Sequence, residues 1–225
     1  TGDGEEEPLG YSRQWSGVVK LTNTSIPDAK VSYQALVNFV KERRSNYAFR
    51  FNPDGLSKQE TFSITHGLDW SHTLGKNTFL DLSFRQNYLD YSDYVYEDVY
   101  DPRYDEAGPA TGDYTYELGA IVQGVDFTRY QQTTDARLFE GSVVSQVHPE
   151  HQVKGGIDLQ FPRVKFGTPG YLTYTTVDGV QTLVRHIDEP PDFPGIQEYH
   201  PMFGAAYLQD NVEPVSYTHL TLPTK

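Results

Sequence analysis

The stretch FSITHGLDWSHTLGKNTFLDLSF, residues 62–84, is apolar at every second residue, breaks at a turn and then resumes the alternation. The even positions from Phe62 to Leu74 form a mainly apolar face, whereas the odd positions from Ser63 to Thr73 form a polar one. The same pattern returns after the turn at residues 75–77. This spacing predicts a β-hairpin with one apolar face, which must meet either the interior of a protein or lipid.

The composition excludes several classes of protein. The chain has 225 residues, 37% hydrophobic and 14% aromatic, so it can bury a sizeable apolar surface as one all-β domain. Its formal charge is −13, with 18 basic against 31 acidic residues, so no nucleic-acid partner is expected. The absence of cysteine excludes disulfides and thiolate metal sites within this chain. A mean hydropathy of −0.59 still allows a membrane barrel, because barrel strands expose only alternate residues to lipid.

The two ends of the chain suggest that it is part of something longer. No run approaches the roughly 18 apolar residues of a membrane helix, and TGDGEEEPLG at the start lacks the features of a signal peptide. VSYTHLTLPTK, residues 215–225, resembles the translation of a transposon-type sequencing adaptor, so we expect it not to be native. We therefore expect residues 1–214 to be an internal fragment of a longer open reading frame.

Alternation along the whole chain predicts about seven long β-strands and almost no helix. Soluble strands average about five or six residues, whereas these run to about a dozen, enough for the roughly 9 to 11 tilted residues that cross a bilayer. The predicted strands are residues 11–23, 31–41, 62–74, 78–88, 130–147, 152–165 and 200–213.

The connections between these strands alternate strictly between short and long. TNTSIPDA, LGKN and HPEH are short and rich in turn-forming residues, whereas the stretches near residues 41–59, 97–126 and 167–199 are long. An antiparallel up-and-down meander places all short turns at one end and all long loops at the other. This asymmetry is typical of outer-membrane barrels, whose long loops are extracellular. We therefore expect a partial wall of a large transmembrane β-barrel.

The two faces of the predicted strands differ in chemistry. A solvated lumen or plug interface accommodates charged groups more cheaply than a dry core does. A soluble sandwich with charged faces in water is the alternative, and alternation alone does not exclude it. The residues predicted to face lipid are Phe62, Ile64, Leu68, Leu80, Leu82, Phe84, Ile157 and Leu159. The charged residues on the opposite face are Asp69, Asp81, Arg85, Glu140, Lys154 and Asp158.

Aromatic residues are frequent near the predicted strand ends. The chain has 17 tyrosines, and amphipathic rings favour the zone between headgroups and acyl chains. Ordinary strand propensity is the alternative explanation, since tyrosine favours sheets of any kind. The residues considered for such aromatic belts are Tyr11, Trp15, Trp70, Phe79, Tyr88, Tyr91, Tyr94, Tyr96 and Tyr207.

Several motifs together resemble the barrel of TonB-dependent outer-membrane receptors, in the subgroup that often carries a carboxypeptidase-regulatory-like N-terminal domain. These motifs are FNPDG, HTLGKNTFLDLSF, YVYEDVYDPRY, HPEHQVKGGIDLQF and GAAYLQDNVE, and the resemblance covers residues 11–213. It implies the middle portion of a barrel of about 22 strands around a plug. It also implies import of a scarce nutrient across the bacterial outer membrane.

The resemblance further implies partners. These are outer-membrane lipid, an unknown nutrient ligand, and the TonB energy-coupling complex acting through an N-terminal region that this sequence lacks. Neither a plug domain nor a TonB box is present in the sequence. A passive outer-membrane barrel or a secreted β-sandwich binding protein or adhesin is the alternative function.

Ligand recognition is expected in the long loops, because loops on a rigid scaffold carry most binding sites. Asp178 and Gly179 lie between YLTYTTV and VQTLVRH, which predicts a projecting β-ribbon in the last loop. The candidate ligand residues are Tyr96, Asp98, Tyr100, Asp101, Arg103, Tyr104, Asp105, Tyr171, Tyr174 and Arg185.

Other chemistry has little support in the sequence. The acidic run EDVYDPRYDEAGPATGD offers oxygen ligands for calcium, but it lacks the spacing of a calcium loop and solvated acidic loops are commoner. His66 and His72 share a face but lie about 20 Å apart on a strand, too far to share one zinc ion. No hydrolase, phosphate-loop or metalloprotease motif occurs. We therefore predict no enzyme, no catalytic residues, no cofactor and no metal.

Overall fold

The computed structural model describes residue 6, residues 8–113 and residues 118–213. The adaptor-like tail predicted at residues 215–225 lies outside this described part of the chain. Among the described residues, no helix is long and apolar enough to cross a lipid bilayer.

β-strands dominate the structure, as the alternation predicted. In the described part of the chain, one short helix, α1 (Arg103–Ala107), and two 3₁₀ turns, Tyr47–Phe49 and Pro53–Gly55, lie in loops. The strands are β1 (Tyr11–Asn23), β2 (Ala29–Arg43), β3 (Lys58–Thr73), β4 (Thr78–Tyr94), β5 (Thr111–Asp113), β6 (Ala120–Gln123), β7 (Tyr130–His148), β8 (His151–Gly167), β9 (Tyr171–Val177), β10 (Val180–His186), β11 (Ile196–Tyr199) and β12 (Phe203–Val212).

The long strands form one antiparallel meander of eight strands in the order β1-β2-β3-β4-β7-β8, with β11 and β12 both paired to β8. Two small two-stranded sheets, β5–β6 and β9–β10, lie in the loops. The predicted all-β antiparallel meander is thus confirmed. Within the described residues the large sheet does not close into a barrel; β1 forms one edge, and β11 and β12 together form the other.

The short turns lie at one end of the strands and the long loops at the opposite end. Asn23 pairs with Val31, and Thr73 pairs with Phe79, next to two of the short turns. The long loops, residues 44–57, 95–129 and 168–195, leave from the opposite ends of the strands. Several strands extend beyond their predicted bounds toward the long loops, because backbone pairing continues where both faces have become polar and the alternation has faded.

The last predicted strand, residues 200–213, is wrong at its beginning. The structure has two strands instead, β11 and β12, separated by residues 200–202. Pro201 lies in this gap, and a proline cannot donate the amide hydrogen bond that would continue the ladder.

The register sorts the side chains onto two faces, as predicted. One row across the sheet pairs Leu21 with Tyr33, Tyr33 with Leu68, and continues through Phe84 to Phe139. We call this side of the sheet the apolar face and the other the polar face. All eight residues predicted to face lipid lie on the apolar face. Three of the aromatic residues considered for belts, Phe79, Tyr91 and Tyr207, are on the polar face instead, so the belt interpretation is wrong for them.

Neither face of the sheet carries the buried core. Trp15, Leu68 and Phe84 on the apolar face are 80%, 46% and 48% exposed. Among the described residues, the buried hydrophobic cluster consists of Tyr104, Val125 and Leu172, all in the long loops. The packed interior therefore holds the loops together and leaves the apolar face open.

Candidate functional site

The described parts of the three long loops gather over the same ends of the strands, and we call them the loop cap: residues 44–57, 95–113, 118–129 and 168–195. Asn52 Nδ2 in the first loop donates a hydrogen bond to the carbonyl of Gly124 in the second at 2.7 Å. The amide of Asp126 donates to the carbonyl of Gly55 at 2.7 Å. These bonds fix the first loop against the second and give the cap a defined surface.

The interior of the loop cap is aromatic. Tyr104, at 0% exposure, packs edge-on against Tyr96 and Phe127, with ring centroids 4.9 and 5.8 Å away. Leu172 of the last loop completes this cluster. The sequence suggested Tyr104 as a ligand contact, but its burial makes it a packing residue of the cap.

Arg129 connects the second and last loops from inside. It is only 3% exposed and donates to the carbonyls of Tyr96, Glu97 and Pro169 at 2.5, 2.6 and 2.9 Å. It also donates to the hydroxyl of Tyr104 at 2.7 Å. Sequence reasoning missed Arg129, because a single arginine ahead of a strand carries no local pattern that marks it as buried.

Two candidate ligand residues meet where α1 approaches the ribbon. Arg185 of β10 forms an ion pair with Asp105 of α1 and donates from Nε to the carbonyl of Val99 at 2.9 Å. Its guanidinium carbon lies 5.9 Å from the ring centroid of Tyr100, which is 64% exposed. The structure thus brings an exposed aromatic ring and a held cation to one place on the cap.

Asp101 and Arg103 form a second polar pair at the start of α1. Arg103 donates to both carboxylate oxygens of Asp101, at 2.9 Å from Nε and 2.6 Å from Nη2. These hydrogen bonds from Arg103 lower the pKa of Asp101 to about 2. Arg103 also lies over the ring of Tyr96, 4.0 Å from its centroid. The side chain of Asp98 is hydrogen-bonded within its own loop, where it accepts from the amide of Tyr100 at 2.9 Å.

The last loop contains the predicted β-ribbon, formed by β9 and β10. Its base is packed, because Tyr174 stacks on Phe127 at 5.9 Å and Tyr171 contacts Phe193 at 5.1 Å. Its tip at Val177 and Val180 is exposed. The ribbon therefore stands on the aromatic cluster and presents its tip to solvent.

The first long loop carries an exposed aromatic group that the sequence analysis did not include among the candidates. Tyr47 is 72% and Phe51 47% exposed. The guanidinium carbon of Arg50 lies 4.3 Å from one ring centroid and 5.1 Å from the other. The sequence YAFRF shows the aromatic residues, but not that the loop folds them around the arginine.

The polar face carries a second candidate region. Asp69 accepts hydrogen bonds from Ser83 and Arg85, both at 2.8 Å. A cavity of about 390 Å³ is lined here by charged groups. The charged residues that line it are Asp69, Asp81, Glu140, Lys154 and Asp158. The structure thus brings together the polar-face residues predicted from alternation.

Metal binding has no arrangement to support it in the described part of the chain, where no three histidine or carboxylate side chains converge on one point. Two carboxylates of the acidic run are paired with cations, Asp101 with Arg103 and Asp105 with Arg185.

Comparison of the chain with protein-family models, with curated proteins and with solved structures finds no match.

Proposed function

We propose that the chain forms part of the wall of a transmembrane β-barrel in a bacterial outer membrane, and that this barrel takes up a nutrient as a TonB-dependent receptor. The observation that carries the membrane part is an apolar band on one face of the sheet, interrupted by His66 and Gln86, which are hydrogen-bonded to each other at 3.2 Å, with none of the described chain packed over it. A soluble β-sandwich would cover such a face with a second sheet. Exposed apolar areas of this extent mark contact with lipid or another protein.

The apolar band has the height that a bilayer requires. On the apolar face it runs from Val31 to Phe39 on β2 and from Val153 to Phe161 on β8, nine residues in each case. A transmembrane strand needs about 9 to 11 residues. Charges follow beyond the band at Lys41 on β2, which lies 2.8 Å from Glu60 of β3.

The band crosses the sheet at a slope, as it must if the strands are tilted in a membrane. Following the register from Phe39 across β3, β4 and β7 leads to Lys165 on β8, four residues beyond Phe161, where the band ends. This displacement is about 13 Å over about 19 Å of sheet width, a slope of about 35°. Strands of outer-membrane barrels tilt by about 35–45°.

The polar face and the open edges fit the same proposal. A lumen accommodates the charges around Asp69 and Arg85, which a dry interior would not. The edges β1 and β12 leave backbone groups that hydrocarbon cannot satisfy, so barrel closure requires further strands from a longer chain. The loop cap supplies a fixed surface for a ligand, and the TonB-dependent part of the proposal rests on the sequence resemblance.

Tryptophan fluorescence tests the membrane position. Both tryptophans of the chain, Trp15 and Trp70, lie on the apolar face within the band. The closed barrel that contains this chain, with any tryptophans outside it replaced by phenylalanine, is placed in vesicles of lipid brominated on the acyl chains, where W15F should leave Trp70 strongly quenched. The control W15F/W70F/S71W moves the single tryptophan to the polar face, since Ser71 neighbours Trp70, and quenching should fall. Equal quenching of the two variants would contradict the proposal.

A further inference from the structure

The apolar face carries a cavity where the pairing of β8 is interrupted. The register places residues 200–202 opposite residues 161–163, between the pair of Gln160 with Phe203 and the pair of Val164 with Tyr199. Pro162 and Pro201 therefore lie opposite each other, and neither has an amide N–H to donate. A cavity of about 420 Å³ lies at this break.

The lining of the cavity combines charged and apolar groups. Asp135 and Arg137 of β7, Arg163 of β8 and His200 contribute the polar part, and Phe161 and Met202 contribute apolar walls. The two arginine side chains are 63% and 52% exposed, so they remain accessible. A guanidinium presents its donors in a planar fork that matches the oxygens of a phosphate group.

Positive charge exceeds negative charge around the cavity, although the chain as a whole carries −13. Glu198 is shared by Arg163, by Lys165 at 3.1 Å and by His200 at 2.8 Å. One carboxylate therefore serves two cations, Arg163 and Lys165, and also contacts the imidazole of His200. The cluster comprises three cations and two carboxylates, namely Arg137, Arg163, Lys165, Asp135 and Glu198.

The cavity lies directly beyond the end of the apolar band on β8, toward the long loops. A second cavity of about 560 Å³ lies lower on the same face, where Gly141, Gly155 and Ala206 leave room between larger apolar side chains. Phe161 and Gly155 are six residues apart, a distance of about 20 Å along the strand. With the strand tilt of a barrel this corresponds to about 15 Å of depth, half the hydrocarbon core of a bilayer.

We propose that the break beside Pro162 and Pro201 binds the phosphate-bearing headgroup of a lipid in the leaflet on the long-loop side. Arg137 and Arg163 donate to the phosphate, and one acyl chain lies along the apolar face toward the lower cavity. Glu198 holds Arg163 in place beside the cavity. This inference rests on the proposed membrane position and adds a specific lipid partner to it.

Lipid selectivity tests the site. The closed barrel of the longer protein that contains this chain is reconstituted in nanodiscs of phosphatidylcholine with a minority of phosphatidylglycerol, and the lipids that it retains are counted by native mass spectrometry. We expect phosphatidylglycerol to be enriched over its bulk fraction. R137Q/R163Q should reduce this enrichment by at least about tenfold, because each cation near a lipid surface contributes a factor of about five. R137K/R163K keeps the charge and should retain part of the enrichment.

The matched control is R13Q/K41Q, which removes two cations from the apolar face of β1 and β2, away from the cavity. It should leave the enrichment unchanged, and circular dichroism checks that each variant keeps its strand content. Undiminished enrichment in R137Q/R163Q would overturn the lipid site. Loss of the wild-type enrichment on addition of inorganic phosphate, with phosphate retained instead, would assign the cluster to a free anion and overturn it as well. Failure of the closed wild-type barrel to enter phosphatidylcholine nanodiscs would contradict the membrane position itself, and the lipid site with it.

Discussion

Arg129 Nη1 donates a hydrogen bond to the hydroxyl of Tyr104 at 2.7 Å, and both side chains are buried within loops. The same hydroxyl donates to the carbonyl of Tyr96 at 3.1 Å and accepts from its amide at 3.2 Å. Arg129 also reaches the carbonyl of Pro169 in the last loop. One buried cation therefore links two long loops and satisfies carbonyls that would otherwise lack a donor.

Arg129→Gln should loosen the loop cap while leaving the large sheet intact. A hydrogen bond to a charged group contributes about 1.5–3 kcal/mol, and several are lost together, so we expect a local cost on the order of 3 kcal/mol. Hydrogen exchange measures this as faster exchange of amides in residues 95–129 and 168–195. Lys41→Gln is the control, because its ion pair with Glu60 joins β2 to β3 outside the loop cap and both side chains are about half exposed. Similar exchange in the two variants would show that Arg129 is not the link.

Leu82→Arg and Ser83→Arg compare adjacent residues of β4 that lie on opposite faces. Leu82 is on the apolar face, and Ser83 is on the polar face beside Asp69. Near the bilayer midplane an arginine on the lipid side costs about 2–4 kcal/mol, whereas one on the lumen side is tolerated. Urea titration of the closed barrel that contains this chain, folded in vesicles, gives both free energies of unfolding.

The same two variants examined in detergent-free buffer provide the control for this comparison. There, the apolar face meets water, and the difference between the variants should shrink. Equal losses in the free energy of unfolding in vesicles would contradict the assignment of the apolar face to lipid and of the polar face to the lumen.

The sequence was sufficient for the sheet but not for the loop cap. Alternation is a local property with a period of two residues, so the strands, their faces and the ribbon turn at Asp178 and Gly179 were predictable. The burial of Tyr104 and Arg129 was not, because it depends on contacts between loops distant in the chain. The position of Pro162 opposite Pro201 could not be predicted either, because it depends on the register between β8 and the residues after β11.

Acid should open the turn before α1. The pKa of Asp101 is lowered from 3.8 to about 2 by hydrogen bonds from Arg103. A lowered pKa means that the carboxylate stabilises the folded loop above pH 3.8, and that this contribution is lost as the pH falls through about 2. Pepsin cleavage within residues 95–113 should therefore rise in the wild type between about pH 4 and pH 2.

Asp101→Asn provides the comparison for the acid effect, because it lacks the charge at every pH. The ratio of cleavage rates, variant over wild type, should fall toward one as the pH decreases. Because both rates are measured with the same protease, the pH dependence of pepsin itself cancels in this ratio. A ratio that stays constant over this range would show that the carboxylate of Asp101 does not hold the turn.

Gly179→Val should destabilise the ribbon through its backbone alone. Gly179 has a φ of 81° and follows Asp178 at 51°, the left-handed pair of a two-residue hairpin turn. A Cβ at Gly179 would meet nothing within 4 Å, so crowding is absent. A side chain in the left-handed region costs about 1–2 kcal/mol, which should speed amide exchange in β9 and β10 by about tenfold. Gly75→Val is the matched control, since Gly75 is equally open but has no left-handed φ. Exchange in β3 and β4 should then change little, and a comparable increase there would show that the backbone conformation is not the cause.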